Sequence, residues 1–182
     1  MTTKLSRNAM KRSSKVVLVL MTAGLAGCEE PVYPVVSENV GQCAAYYNKE
    51  KCLKDFADAT ALHKQVAPRY TKPEDCAEDF GAGNCEATAG SSGGFVYMPY
   101  MSGYMSSATN PSNASSFVQS QPLYRSKDDP SGFRTATNEL VASKTGHTKV
   151  YPSSVPVTAA GVVNRGGFGA TAYKHSGGSY GG

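Results

Sequence analysis

Apolar residues recur at three-and-four spacing through Cys52, Leu53, Phe56, Ala59 or Thr60, His63 and Val66, and Pro68 follows. This spacing predicts a helix over 52–67 with one inward face. A second, shorter helix is expected after Thr71, which reads as an N-cap with Glu74 three residues on as a capping box. Between the helices and beyond them lie breaks: Asn48-Lys49 in one place, and Gly81-Ala82-Gly83-Asn84 in the other. Glycine there permits the positive φ of a helix C-cap. Residues 88–182 hold 14 glycines, 16 serines and 6 prolines, a density that marks low-complexity sequence.

Upstream, Val16–Leu20 form a short apolar run behind Lys4, Arg7, Lys11, Arg12 and Lys15, with Leu25-Ala26-Gly27-Cys28 following. A basic segment, a short apolar segment and small residues before a cut are the parts of an export signal, and this run is too short to span a bilayer. The four-residue box resembles that of bacterial lipoproteins. The resemblance implies cleavage after residue 27 and lipidation of Cys28, with Glu29 in place of an inner-membrane retention aspartate and transfer to the outer membrane therefore favoured. Two or three acyl chains hold far more firmly than one.

Loss of the signal removes five basic residues and no acidic one, so the basic balance of the whole chain belongs to the precursor. The remainder is uneven: residues 28–87 carry 11 acidic and 6 basic side chains, whereas 88–182 carry 3 and 7. The halves are expected to attract weakly. Beyond residue 27 the chain has 4 leucines, 13 valines, 6 phenylalanines and no isoleucine, which predicts a meagre core.

Four cysteines remain after Cys28. Cys43 and Cys52 are nine positions apart, as are Cys76 and Cys85, and similar flanks suggest a weak duplication of period 33. In an exported chain an even number reads as a disulfide framework. Spacing alone leaves the connectivity open; the pairs Cys43–Cys52 and Cys76–Cys85 are favoured. Nine residues of continuous helix rise about 13.5 Å, whereas bridged Cα atoms lie within about 7 Å, so each pair must straddle one of the breaks.

The expected organisation is a signal at 1–27, a tether at 28–37 extended by Pro31 and Pro34, a disulfide-stapled helical unit at 38–87, and a tail at 88–182. The fold class is thus a small, mainly α unit followed by a long Gly/Ser/Tyr-rich irregular or disordered tail.

Ala67-Pro68-Arg69-Tyr70, Glu74-Asp75-Cys76, Phe80-Gly81-Ala82-Gly83-Asn84-Cys85, Met98-Pro99-Tyr100-Met101-Ser102-Gly103-Tyr104-Met105, Gln121-Pro122-Leu123-Tyr124-Arg125-Ser126-Lys127 and Arg165-Gly166-Gly167-Phe168-Gly169 together resemble the YgiB family of uncharacterised proteobacterial lipoproteins. The resemblance spans nearly the whole chain after the signal, in the family's order. It implies an envelope location, a loose link to biofilm formation and genes near an ATP-grasp ligase, and no defined chemistry. Tyr97 stands where the family has tryptophan, and Ser106–Ser116 replace a longer Met/Gly-rich run.

Candidate chemistry is sparse. Zinc favours cysteines two to four residues apart, and a redox site favours Cys-x-x-Cys; neither spacing occurs. Met98, Met101 and Met105 offer soft sulfur for Cu(I), although Pro99 and Gly103 break a regular helix. His63, His147 and His175 have no i, i+4 partner. The single arginine of the Arg165 motif is too little charge for nucleic acid, and no serine elbow or phosphate-cradling loop is present. No enzyme, metal or other cofactor is expected. The expected role is structural or binding, with the membrane as one partner through the lipid and an envelope protein or polymer as another. The alternative is an accessory role in which Glu74, Asp75, Glu78, Asp79 and Glu86 hold a small polycation or a thiol conjugate is bound.

Overall fold

The computed structural model describes residues 29–90, 93–159, 162, 163, 166–170 and 172. The signal, Cys28, Arg165, His175 and the closing glycine-rich residues lie outside them.

The helical expectation holds at its centre. After β1 (Val35–Ser37) come α1 (Val40–Cys43), α2 (Lys49–Val66) and α3 (Pro73–Phe80). Asn48 caps α2 by accepting from the Lys51 N–H at 2.8 Å. The buried stripe of α2 is Cys52, Asp55, Ala59, His63 and Val66. Leu53, expected inside, is half exposed. α3 starts one residue later than expected: Lys72 is its N-cap, without a side-chain cap bond, and Pro73 fills the first turn. Proline's fixed φ and missing N–H suit that position, so the Thr71 capping box does not form.

The mainly α assignment is overturned. The tail folds into most of a β structure: β2 (Cys85–Ala89), β3 (Phe95–Pro99), β4 (Gly103–Met105), β5 (Ala108–Asn110), β6 (Asn113–Val118), β7 (Gln121–Ser126), β8 (Asp129–Arg134), β9 (Leu140–Ala142) and β10 (Gly146–His147). Six strands make one antiparallel sheet in the order β10-β1-β4-β7-β8-β9, and β2–β3 and β5–β6 are separate hairpins. Because β1 sits between β10 and β4, residues from both halves of the chain share the sheet. Val32, Val35 and Val36 are fully buried, so the segment expected as a tether is a core strand.

Serine content hid the tail's order. Ser106, Ser116, Ser120 and Ser126 are buried polar residues. Ser120 Oγ lies 2.7 Å from the Asp55 carbonyl oxygen and 2.9 Å from that of Met105, its single proton shared between them, which ties α2 to the sheet. A small hydroxyl with its donor satisfied occupies an interior position where composition reads coil. Pro122 is accommodated because β7 pairs there only with β4, while pairing with β8 begins at Tyr124.

Among the described residues the core has three clusters. One lies around Val36, Met105, Leu123 and Phe133, one around Tyr70, Phe80, Met98, Tyr124 and Phe168, and one around Cys43, Cys52, Ala59 and Tyr104. Disulfides join Cys43 to Cys52 (Cα–Cα 5.8 Å) and Cys76 to Cys85 (6.3 Å). The first links α1 to α2 and the second α3 to β2, so the sequence echo at period 33 is not a structural repeat. The attraction expected between the halves takes a concrete form in the Glu38–Arg125 ion pair at 2.8 Å.

Candidate binding groove and buried polar clusters

A groove of about 770 Å³ runs over the β2–β3 hairpin beside the end of α2. Val96, Met98 and Val162 supply apolar lining, and Lys64, Arg69 and Glu86 supply charge. Arg69 is placed by its own backbone: its carbonyl accepts from the Val163 N–H at 2.7 Å, and its guanidinium donates to the Lys64 carbonyl at 3.1 Å. Tyr70 exchanges both backbone hydrogen bonds with Tyr97 at 2.9 Å, which fixes the hairpin against the α2–α3 connection. The Cys76–Cys85 bridge holds the hairpin's base to α3. Volume and mixed lining are those of a ligand cleft.

His63 adjoins this region through Glu86. Its Nδ1 lies 2.9 Å from the buried Tyr124 hydroxyl, and its Nε2 lies 3.7 Å from a Glu86 carboxylate oxygen. Burial pushes the imidazole below its ordinary value, and Glu86 pulls part of the way back. Burial pushes Tyr124 well above the ordinary phenol range.

Asp79 anchors the Arg165 motif from its partner side. Its carboxylate accepts from the Tyr70 hydroxyl at 2.8 Å, the Gly166 N–H at 2.9 Å and the Phe168 N–H at 3.2 Å. Burial raises its pKa; the three donors oppose that rise, and Asp128 adds to it. Tyr70 in turn is driven far above the phenol range by burial and by the Asp79 charge. Phe168 packs on Phe80 with ring centroids 4.7 Å apart, and Gly169 exchanges two bonds with the Asn138 side chain.

A second buried carboxylate, Asp55, accepts from Lys51 Nζ at 2.7 Å and Ser107 Oγ at 2.8 Å. Buried ionic groups hold only when paired in this way. Sequence reading missed Asp55 and the inward role of Asp79, although both fall on the buried stripe of a helix: Asp55 is four residues before Ala59, and Asp79 three after Cys76.

The sequence candidates are dispersed. Met98, Met101 and Met105 go to three different core clusters, so the thioethers do not converge. Among the five acidic residues, Glu74 and Glu78 are exposed on α3, Asp79 faces inward and Glu86 faces His63. His147 lies edge-on to Tyr46 with centroids 5.2 Å apart. Among the described residues no group of three His, Cys, Asp or Glu side chains is placed to hold a metal, and no helix is long and apolar enough to cross a membrane.

The chain matches, over residues 32–178, the family described as protein of unknown function DUF1190. It is similar to a UPF0441 protein of Klebsiella pneumoniae subsp. pneumoniae, with 31% identity over 176 residues covering 84% of this chain and 77% of the relative. A UPF0441 protein of Klebsiella pneumoniae strain 342 matches to the same extent. No solved structure matches. These matches agree with the motif resemblance, and the chain belongs to the DUF1190 family of proteins of unknown function, the YgiB type.

Proposed function

We propose that this protein is a lipid-anchored component of the bacterial envelope, non-catalytic, that binds a partner in the groove over β2–β3. The lipid anchor rests on the box ending at Cys28, and the binding role on the groove. The observation that carries the binding reading is the juxtaposition of an apolar floor, Val96, Met98 and Val162, with Lys64, Arg69 and Glu86 in one cleft of about 770 Å³. Such lining suits an extended segment of an envelope protein or polymer that bears an anionic group and some apolar surface. It suits a polycation less, because two cations line the cleft and the acidic residues of α3 do not converge on it.

The test is a photocrosslinker at Thr88, inside the groove, in intact cells. A discrete envelope adduct that disappears on Arg69→Glu is expected. Absence of an adduct, or one unchanged by Arg69→Glu, overturns the groove as the binding site. Calorimetry with spermidine is expected to give no heat; a salt-dependent binding isotherm supports the polycation reading instead.

A further inference from the structure

Glu29, the residue that follows Cys28 in sequence, is tied to the body of the protein. Glu29 accepts from the Ser153 backbone N–H at 2.7 Å and from the Ser153 hydroxyl. Val32 then exchanges backbone bonds with Val150 at 2.9 and 3.1 Å, and the Thr148 N–H donates to the Pro34 carbonyl at 3.0 Å. Consecutive Cα atoms are about 3.8 Å apart, so a lipid carried on Cys28 enters the bilayer within a few ångströms of this paired segment.

Side chains alternate across such a pair. Val32, Pro34 and Val150 point inward, whereas Tyr33, Lys149 and Tyr151 are exposed on the outer side. Tyr33 is 54% and Tyr151 41% exposed, so both rings are open to solvent on this face, as Tyr46, Phe95, Tyr100 and Phe117 are elsewhere. Lys149 Nζ lies 5.3 Å from the Tyr151 ring centroid. Tyrosine with lysine at an apolar boundary is the composition of a membrane–water interface, where the ring sits at headgroup depth and the ammonium meets phosphate.

We infer that the face bearing Tyr33, Lys149 and Tyr151 lies flat on the phospholipid headgroups of the membrane that holds Cys28, so that the body is seated on the bilayer with no free tether. This rests on the lipid-anchor reading. The exposed face lies on the segment that leads from Cys28, and the residues expected as a tether are held to the body, Val32 by its bridge to Val150 and Val35–Ser37 as β1 of the sheet.

The experiment uses the full lipoprotein purified from cells and reconstituted in vesicles of phosphatidylethanolamine and phosphatidylglycerol. A photoreactive phenylalanine analogue is placed at Tyr151, or at Ala82 in the exposed turn after α3, and lipid adducts are counted by mass spectrometry. A yield at Tyr151 on the order of fivefold above Ala82 is expected. Equal yields, or no adduct at Tyr151, overturn the seating. The same spectra read the mass of the Cys28 peptide: acylated Cys28 with no Tyr151 adduct removes the seating alone, and unmodified Cys28 removes the anchor reading and the seating with it.

Discussion

The Asp79 carboxylate accepts a hydrogen bond from the Phe168 N–H across 89 positions of sequence, and Gly166 makes a second such bond to the same side chain. One buried side chain of α3 thereby fixes the end of the described chain over Phe80 and Tyr124. Asp79→Ala is expected to cost about 1–3 kcal/mol, because Tyr70 and two backbone donors lose their acceptor while the penalty of a buried charge is relieved. Urea unfolding reads the loss, and limited proteolysis reads early cleavage near residue 166. Unchanged stability and an intact C-terminal segment refute the clasp.

The raised Asp79 pKa also sets a sign. The folded state holds its proton more tightly than the unfolded state, whose value is near 3.8, so this group's contribution is largest below that value. It declines as pH rises from about 3.8 through the higher folded pKa. Subtracting the urea midpoints of Asp79→Asn from those of the parent chain across acidic pH isolates the effect. The difference is expected to move against the parent as pH rises; a difference independent of pH contradicts it.

His63 titrates in the other sense. Its folded pKa lies below 6.5, so neutral imidazole is preferred inside, and stability is lost as pH falls from 6.5 through the lower folded value. In ¹H–¹⁵N NMR the His63 ring is expected to titrate below 6.5. Glu86→Gln is expected to lower it further, because Glu86 is the group that raises it. An unchanged His63 pKa in Glu86→Gln shows that the two side chains do not interact in solution.

The two bridges close loops of about ten residues and are each expected to contribute roughly 2.7 kcal/mol on a chain-entropy estimate. Cys43→Ser with Cys52→Ser loosens α1 from α2, whereas Cys76→Ser with Cys85→Ser frees the hairpin under the groove. Hydrogen exchange of the Tyr70 and Tyr97 amides separates them: only the second pair is expected to raise it. Equal protection in both variants argues that α3 does not hold the hairpin.

α2 and α3 were legible because their signals are local. Pro68 and Gly81 mark ends, and the stripe from Cys52 to Val66 marks a face, whereas α1 is too short to show a period. The sheet was not legible because its strands are short and its inward residues include Ser106, Ser120, Gln121 and Ser126, which carry no apolar period. β1 was hidden in another way: Val32, Val35 and Val36 lie beside two prolines, and only partners more than 65 residues away show that they form a central strand. The groove depends on Arg69, Glu86 and Val162 meeting from three separate segments, which no spacing rule reports. The Arg165 motif was recognisable as a motif, but its meaning lies in what receives Gly166 and Phe168, and that receptor is an aspartate expected on an acidic surface.

Gly103 tests the sheet that sequence reading missed. It begins β4, between β1 and β7, and a Cβ there comes within 2.8 Å of the Ser37 carbonyl oxygen and 2.9 Å of Phe133 Cε1. The carbonyl belongs to a strand paired with β4 at Ser37 and Tyr104, so it has no room to retreat, and the ring lies in the core. Gly103→Ala is therefore expected to destabilise by about 1–3 kcal/mol through overpacking. Gly83 provides the contrast: its φ of +81° is strained for alanine, but a Cβ there meets nothing within 4 Å. Gly83→Ala is expected to cost only about 1–2 kcal/mol of backbone strain and to leave the sheet untouched. Amide exchange distinguishes the two, since Gly103→Ala exposes β1 and β7 while Gly83→Ala does not. Equal protection of β1 in both variants is incompatible with β4 lying between β1 and β7.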